Sequence, residues 1–169
     1  MSDPAMSEAA IESIQFLVNE KIAPAELKSL EERYQTKKVL QNEKLAITED
    51  EASLFFQYAL ALIQSPYRSD WPKGRQIMEY LYKKNTADKV ARRDYLFYCA
   101  IAELKMKNYK EAQEFVNAIL YVEPFNHQAK ALQIYINKMN DKDLLIGAGV
   151  IGGVAAVGAI LLGAMLAKK

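Results

Sequence analysis

Glycine is nearly missing from the first 143 residues of this 169-residue chain. Six of its seven glycines lie between Gly147 and Gly163, which leaves Gly74 alone before them. Phosphate-cradling loops, dinucleotide loops and nucleophile elbows need glycine to bring backbone close to a ligand or to strain a turn. Those chemistries are excluded, and hairpin-rich β folds, which need residues at positive φ, are disfavoured. Histidine occurs once, as His127, with no second His or Cys nearby. That removes most acid–base schemes, and no nucleophile–base pair or metal-ligand cluster stands out. The expectation is a protein that is not an enzyme, with no catalytic residues, cofactor or metal. Cys99 is the single cysteine, so no internal disulfide can form, and its place between Tyr98 and Ala100 reads as core. Charge of one sign is lacking too. With Lys168 and Lys169 set aside, 20 basic residues balance 21 acidic ones, whereas a nucleic-acid surface needs a basic stripe. The N-terminus, MSDPAMSEAAIES, has no basic leader before an apolar run, so no signal or transit peptide is expected.

What the chain does have is an uncharged C-terminal run. Leu144–Ala167 comprises twelve Leu, Ile, Val or Met, six Ala and six Gly, followed by two lysines. As a helix its 24 residues would extend about 36 Å, against about 30 Å for a bilayer's hydrocarbon core. A single transmembrane helix is expected over 144–167, with 168–169 as a basic tail. Such a span inserts after synthesis and leaves residues 1–143 facing the cytosol. Its modest hydrophobicity and short basic end associate it with the mitochondrial outer membrane. Gly149 and Gly153 have the GxxxG spacing that lets two helices pack closely, so a homo-oligomer through the anchor is one reading and a merely less apolar span is the other.

Apolar residues in the rest recur at helical spacing. Gly74, Ile77, Met78, Leu81 and Tyr82 follow i, i+3, i+4, i+7, i+8, as do Ala112, Phe115, Val116, Ile119 and Leu120. The segments before them, LFFQYALALIQ (54–64) and RDYLFYCAIAE (93–103), also align. Two helix–turn–helix units result, with small residues (Ala61, Gly74, Ala100, Ala112) where their helices meet. Thr48 and Glu51 form a capping box at the first unit. A leading helix from Pro24, carrying Leu27, Leu30 and Tyr34, and a closing helix, carrying Ala129, Leu132, Ile136 and Met139, cap the stack. The expected fold is all-α: a bundle of about six helices, two repeat units with flanking helices, over residues 24–143, preceded by an arm over 1–23.

In CAIAELKMKNYKEAQEFVNAILYVEP, residues Ala100, Tyr109, Glu111, Ala112 and Pro124 resemble a tetratricopeptide repeat; Glu103 and Lys107 stand where an aromatic and a glycine are usual. The order of FQYALALIQS (56–65), RRDYLFYCAIAEL (92–104), EAQEFVNAIL (111–120), EPFNHQAKAL (123–132) and KDLLIGAG (142–149) resembles the mitochondrial fission 1 protein family. That resemblance implies an adaptor on mitochondrial outer and peroxisomal membranes, recruiting dynamin-related GTPases or their adaptor proteins to divide the organelle.

On the repeat pattern the inward positions are Phe55, Tyr58 and Leu62, then Phe97, Ile101 and Leu104, with Lys105 at the rim. They would form an apolar groove for an amphipathic helix or extended peptide; the alternative is that they pack against neighbouring helices. Tyr58, Leu62, Phe97 and Ile101 stand where Lys, Arg or Asn would be needed to clamp a chaperone's terminal carboxylate, so that role is rejected. The arm, with Ile14, Phe16 and Leu17, either folds over the groove and competes with partners or packs permanently on the bundle. Two other functions stay open: an import receptor for amphipathic presequences, and a membrane-structural protein acting through anchor oligomers.

Overall fold

The computed structural model describes residues 4–41, 47–84 and 88–166, with side chains over 8–38, 47–84 and 88–147. Every regular element among them is an α-helix: α1 (Pro4–Asn19), α2 (Pro24–Gln41), α3 (Glu49–Ile63), α4 (Trp71–Lys84), α5 (Lys89–Lys105), α6 (Tyr109–Val122) and α7 (His127–Leu166). The two repeat units are α3–α4 and α5–α6. The arm is itself a helix, and the closing helix continues into the tail as one element. Met1–Ile136 and Asn137–Lys169 form two compact units. Among the described residues no helix is long and apolar enough to cross a membrane. The expected anchor, with Gly149 and Gly153, falls almost wholly beyond the described side chains.

Helix starts follow local chemistry. The Thr48 hydroxyl accepts from the Glu51 N–H at 3.3 Å, and the Glu51 carboxylate accepts from the Thr48 N–H at 2.9 Å, completing the capping box. Asp88 caps α5 by accepting from the N–H groups of Val90 and Ala91. Pro72 falls in the first turn of α4, where a missing N–H costs no intrahelical bond.

Helix α2 packs on α3, α3 on α4, α4 on α5 and α5 on α6. Gln133 joins α7 to α6, accepting from Gln113 and donating to Asn117. Gly74 shows why α3 and α4 lie so close. A Cβ there would sit 2.6 Å from the Ala59 carbonyl oxygen and 2.8 Å from Ile63 Cγ1. One residue on, Arg75 reaches the other way and binds Glu103 of α5 at 2.9 Å. Glu103, only 5 % exposed, also accepts from the Asn108 side chain at 2.7 Å, so the buried carboxylate is paired and hydrogen-bonded. Between α5 and α6, Lys107 adopts φ = 67°, the left-handed conformation that ends helices and that glycine accommodates best.

Two stability changes are expected. Gly74→Ala forces α3 and α4 apart and costs about 2 kcal/mol, overpacking outweighing alanine's better helix propensity. Lys107→Gly relieves the left-handed backbone and gains about 1 kcal/mol. Chemical denaturation of the detergent-solubilised chain measures both.

A candidate partner-binding face

Helices α3 and α5 run side by side in the same direction. Their N-termini share a cleft of about 190 Å³ that Glu49, Phe56, Asp88, Asp94 and Tyr95 help to line. Their C-termini meet where the Lys105 ammonium donates to the Ile63 carbonyl. Between these ends lies an aromatic strip. Phe56 of α3, half-buried, sits 5.9 Å from Tyr95 and 5.6 Å from Tyr98 of α5, ring centroid to centroid.

The connector after α1 reaches the C-terminal end of this face. The Gln64 side chain donates to the Glu20 carboxylate at 2.8 Å, and the Ile22 N–H donates to the Gln64 carbonyl at 3.3 Å. Two pKa shifts report the same approach. Burial first, then Asp94 and Glu20, raise the Tyr98 phenol above its ordinary value. Burial first, then the nearby Lys21 charge, lower Lys105 to about 8. Lys105 also lies 4.9 Å from the centre of the Trp71 ring, whose Nε1–H donates to the Ser65 carbonyl at 2.9 Å. Trp71 is thus a packing residue at the start of α4, and Tyr67 is the exposed aromatic of that loop.

The residues expected to form the groove are placed differently. Phe55, Tyr58, Leu62, Phe97, Ile101 and Leu104 are each no more than 5 % exposed, and only Lys105 is partly open. Phe55, Tyr58 and Leu62 point roughly half a turn away from Phe56, Leu60 and Gln64 on α3, and line a cavity with residues of α2 and α4. Tyr34 of α2 lies 4.7 Å from Phe55 and 4.6 Å from Tyr58, ring to ring. Phe97, Ile101 and Leu104 are not on that cavity, so the structure does not unite the six in one groove. In the arm, Ile14 is 1 % exposed, Leu17 is half-buried and Phe16 is 69 % exposed. Sequence reasoning missed Phe56, Leu60 and Tyr98; on α3 the signal that could have found the face is the polar Ser53, Gln57 and Gln64, which share the stripe of Phe56 and Leu60. Among the described residues no group of three or more His, Cys, Asp or Glu could hold a metal ion.

Comparison with known proteins places this architecture. Residues 93–145 match the family model for the Fis1 C-terminal tetratricopeptide repeat. The human mitochondrial fission 1 protein is 37 % identical over 130 residues, covering 77 % of this chain and 84 % of that protein. The chain belongs to the mitochondrial fission 1 protein family. The Candida albicans member is 39 % identical over 114 residues, covering 68 % of this chain and 72 % of the other. The crystal structure of fission protein Fis1 from Saccharomyces cerevisiae superposes with a TM-score of 0.60 at 25 % identity, over 76 % of this chain and 92 % of that one. Yeast Fis1 in complex with an Mdv1 fragment, containing N-terminal extension and coiled-coil domains, superposes with a TM-score of 0.59 at 25 % identity, over 75 % and 91 %. Family membership and the all-helical, tetratricopeptide-like fold thus agree with the resemblance read from the sequence.

Lys105 gives this face a measurable pH signature. Between pH 8 and about 10.5 the unfolded chain holds a proton on this lysine that the folded chain has released. Its contribution to stability therefore rises with pH across that window and is lost as pH falls through 8. Thermal unfolding of the native chain should gain on that of Lys105→Met between pH 7.5 and 9.5; parallel curves would show that the ammonium is not desolvated.

Proposed function

We propose that this family member is a mitochondrial fission adaptor whose α3–α5 face holds a segment of a coiled-coil adaptor protein. That adaptor brings a dynamin-related GTPase to the outer mitochondrial and peroxisomal membranes. Residues 144–167 serve as the single-pass anchor, with residues 1–143 in the cytosol. One observation carries the site assignment: half-buried Phe56 and Tyr98 meet over a buried Tyr95 that supports them, forming an aromatic strip between two helices with an open cleft at one end. Aromatic anchors on a rigid platform dominate helix capture. The complex of yeast Fis1 with an Mdv1 fragment supports an adaptor as partner. Confinement to a membrane raises effective concentration, so a weak contact suffices when partners assemble multivalently.

The arm acts as a partial cover. Its buried Ile14 and the Glu20–Gln64 bond hold the connector against one end of the face, and a partner that needs that end must displace it. The arm then reduces apparent affinity by the fraction of molecules in which it is closed.

The test uses the full chain in nanodiscs and a homologous adaptor fragment containing N-terminal extension and coiled coil. Phe56→Ala with Tyr98→Ala should weaken binding at least tenfold while the chain stays folded at the assay temperature despite a lowered melting temperature, and Glu20→Ala should strengthen it several-fold. Binding that ignores the aromatic pair but fails in Gly149→Leu/Gly153→Leu would favour an anchor-oligomer role instead.

A further inference from the structure

A lysine ammonium carries three N–H donors and no acceptor. Lys105, half-buried at the end of α5, places one of them on the Ile63 carbonyl at the last residue of α3. Its Nζ also lies 4.9 Å from the centre of the Trp71 ring. Among the described residues it has no other polar partner, and neither of these is a counter-ion. Charges withdrawn from water are normally paired, because an unpaired one loses its hydration without compensation.

The acids on the surrounding elements are committed elsewhere. On the connector, Glu20 accepts from the Gln64 side chain at 2.8 Å. At the start of α4, Asp70 accepts from Ser65 at 2.7 Å and pairs with Lys73 at 3.0 Å. On α5 itself, Glu103 is bound by Arg75 at 2.9 Å and by Asn108 at 2.7 Å. What surrounds Lys105 instead is more positive charge. Burial first, and then Lys21 of the connector, bring it down to about 8. Arg68 lies 5.6 Å from the centre of the same Trp71 ring. The Tyr98 phenol, raised above its ordinary value, stays neutral while Lys105 titrates.

The other end of the face has the opposite character. The described lining of its cleft includes Glu49, Asp88 and Asp94 and no Lys or Arg. Asp94 is held by Arg93 at 2.8 Å, and Asp88 by the N–H groups that it caps. Glu49 has no partner among the described residues. A carboxylate arriving on a partner is therefore repelled at the α3 and α5 N-termini and attracted at Lys105.

We propose that the adaptor segment carries an acidic side chain that takes the place of Lys21 beside Lys105. This rests on the adaptor reading of the α3–α5 face and adds a charge requirement to its aromatic strip. The closed connector sets a like charge against the ammonium, and binding exchanges it for an opposite one. A segment bearing the acid thus opens the cover more readily than a purely apolar one, which makes Lys105 a specificity-determining residue. With a carboxylate beside it, Lys105 keeps its proton well above pH 9. Binding then takes up the proton that the free chain has lost, about 0.1 proton at pH 7 and about 0.75 at pH 8.5 for a free value of about 8.

Isothermal titration calorimetry in buffers of different ionisation enthalpy counts that proton. The full chain in nanodiscs is titrated with the homologous adaptor fragment, first native and then with each Asp or Glu of its N-terminal extension replaced in turn by the amide. The native pair should show the uptake at pH 8.5. One amide replacement should abolish it and weaken binding about tenfold. Lys105→Met should show the same two losses, and both changes together should cost no more than either alone. The amide series is read on the native chain, so the outcome does not depend on how well Lys105→Met folds. Uptake that survives every amide replacement would mean that Lys105 is merely uncovered to water. Additive losses would mean that lysine and acid act apart. Either result overturns this proposal and leaves the adaptor face standing, whereas a fragment that does not bind overturns both.

Discussion

Helix α4 is fastened on both sides by neighbouring residues, and the rest of the fold depends on that double attachment. At Gly74 the absence of a side chain lets α4 lie against the Ala59 carbonyl of α3. At Arg75 a guanidinium crosses to the buried Glu103 of α5. The first attachment is steric and the second electrostatic, and each fails differently. A methyl group at Gly74 would push two helices apart. Loss of Arg75 would leave a carboxylate desolvated without its cation, which is the costlier defect inside a protein. With α4 seated between them, α3 and α5 are brought alongside each other, and Phe56 reaches Tyr95 and Tyr98.

That arrangement gives α3 two distinct sides. One side faces α5 and carries the aromatic strip, whose C-terminal end is covered by the connector through Glu20, Ile22 and Gln64. The other faces outward between α2 and α4 and forms the floor of the larger cleft. A recruiting protein benefits from a rigid face for one partner and a cover that sets how readily that face is reached. In the proposed reading, the repeat scaffold positions the face, while the arm in front of it adjusts its accessibility.

Much of this fold was legible because its signals are local. Thr48 and Glu51 are three residues apart and announce a helix start without any tertiary information. Gly74, isolated in a glycine-poor stretch, marked a close helix approach. Lys107, standing where the repeat pattern has glycine, is the residue found in the left-handed turn. The phase of α3 was harder to read. Its run Leu54–Ile63 is apolar nearly all round, so helical spacing identifies a helix but not which stripe faces which neighbour. Phe55, Tyr58 and Leu62 read as inward on the repeat pattern, yet α2 packs on the first two through Tyr34, and Leu62 lies against Gly74 of α4. Glu103 read as a departure from the pattern; its partner Arg75 lies 28 positions earlier and no local rule connects them. The arm defied periodicity because only Ile14 among its described side chains is deeply buried.

The central claim is that the α3–α5 face is where the adaptor sits. Hydrogen–deuterium exchange on the full chain in nanodiscs, with and without a coiled-coil adaptor fragment, tests it directly. The account requires new protection across residues 53–64 and 91–105, together with faster exchange over residues 14–22 as the cover is displaced. Protection confined to α6, or to the α2 and α4 walls of the outer cleft, with the α3–α5 face unchanged, would contradict it.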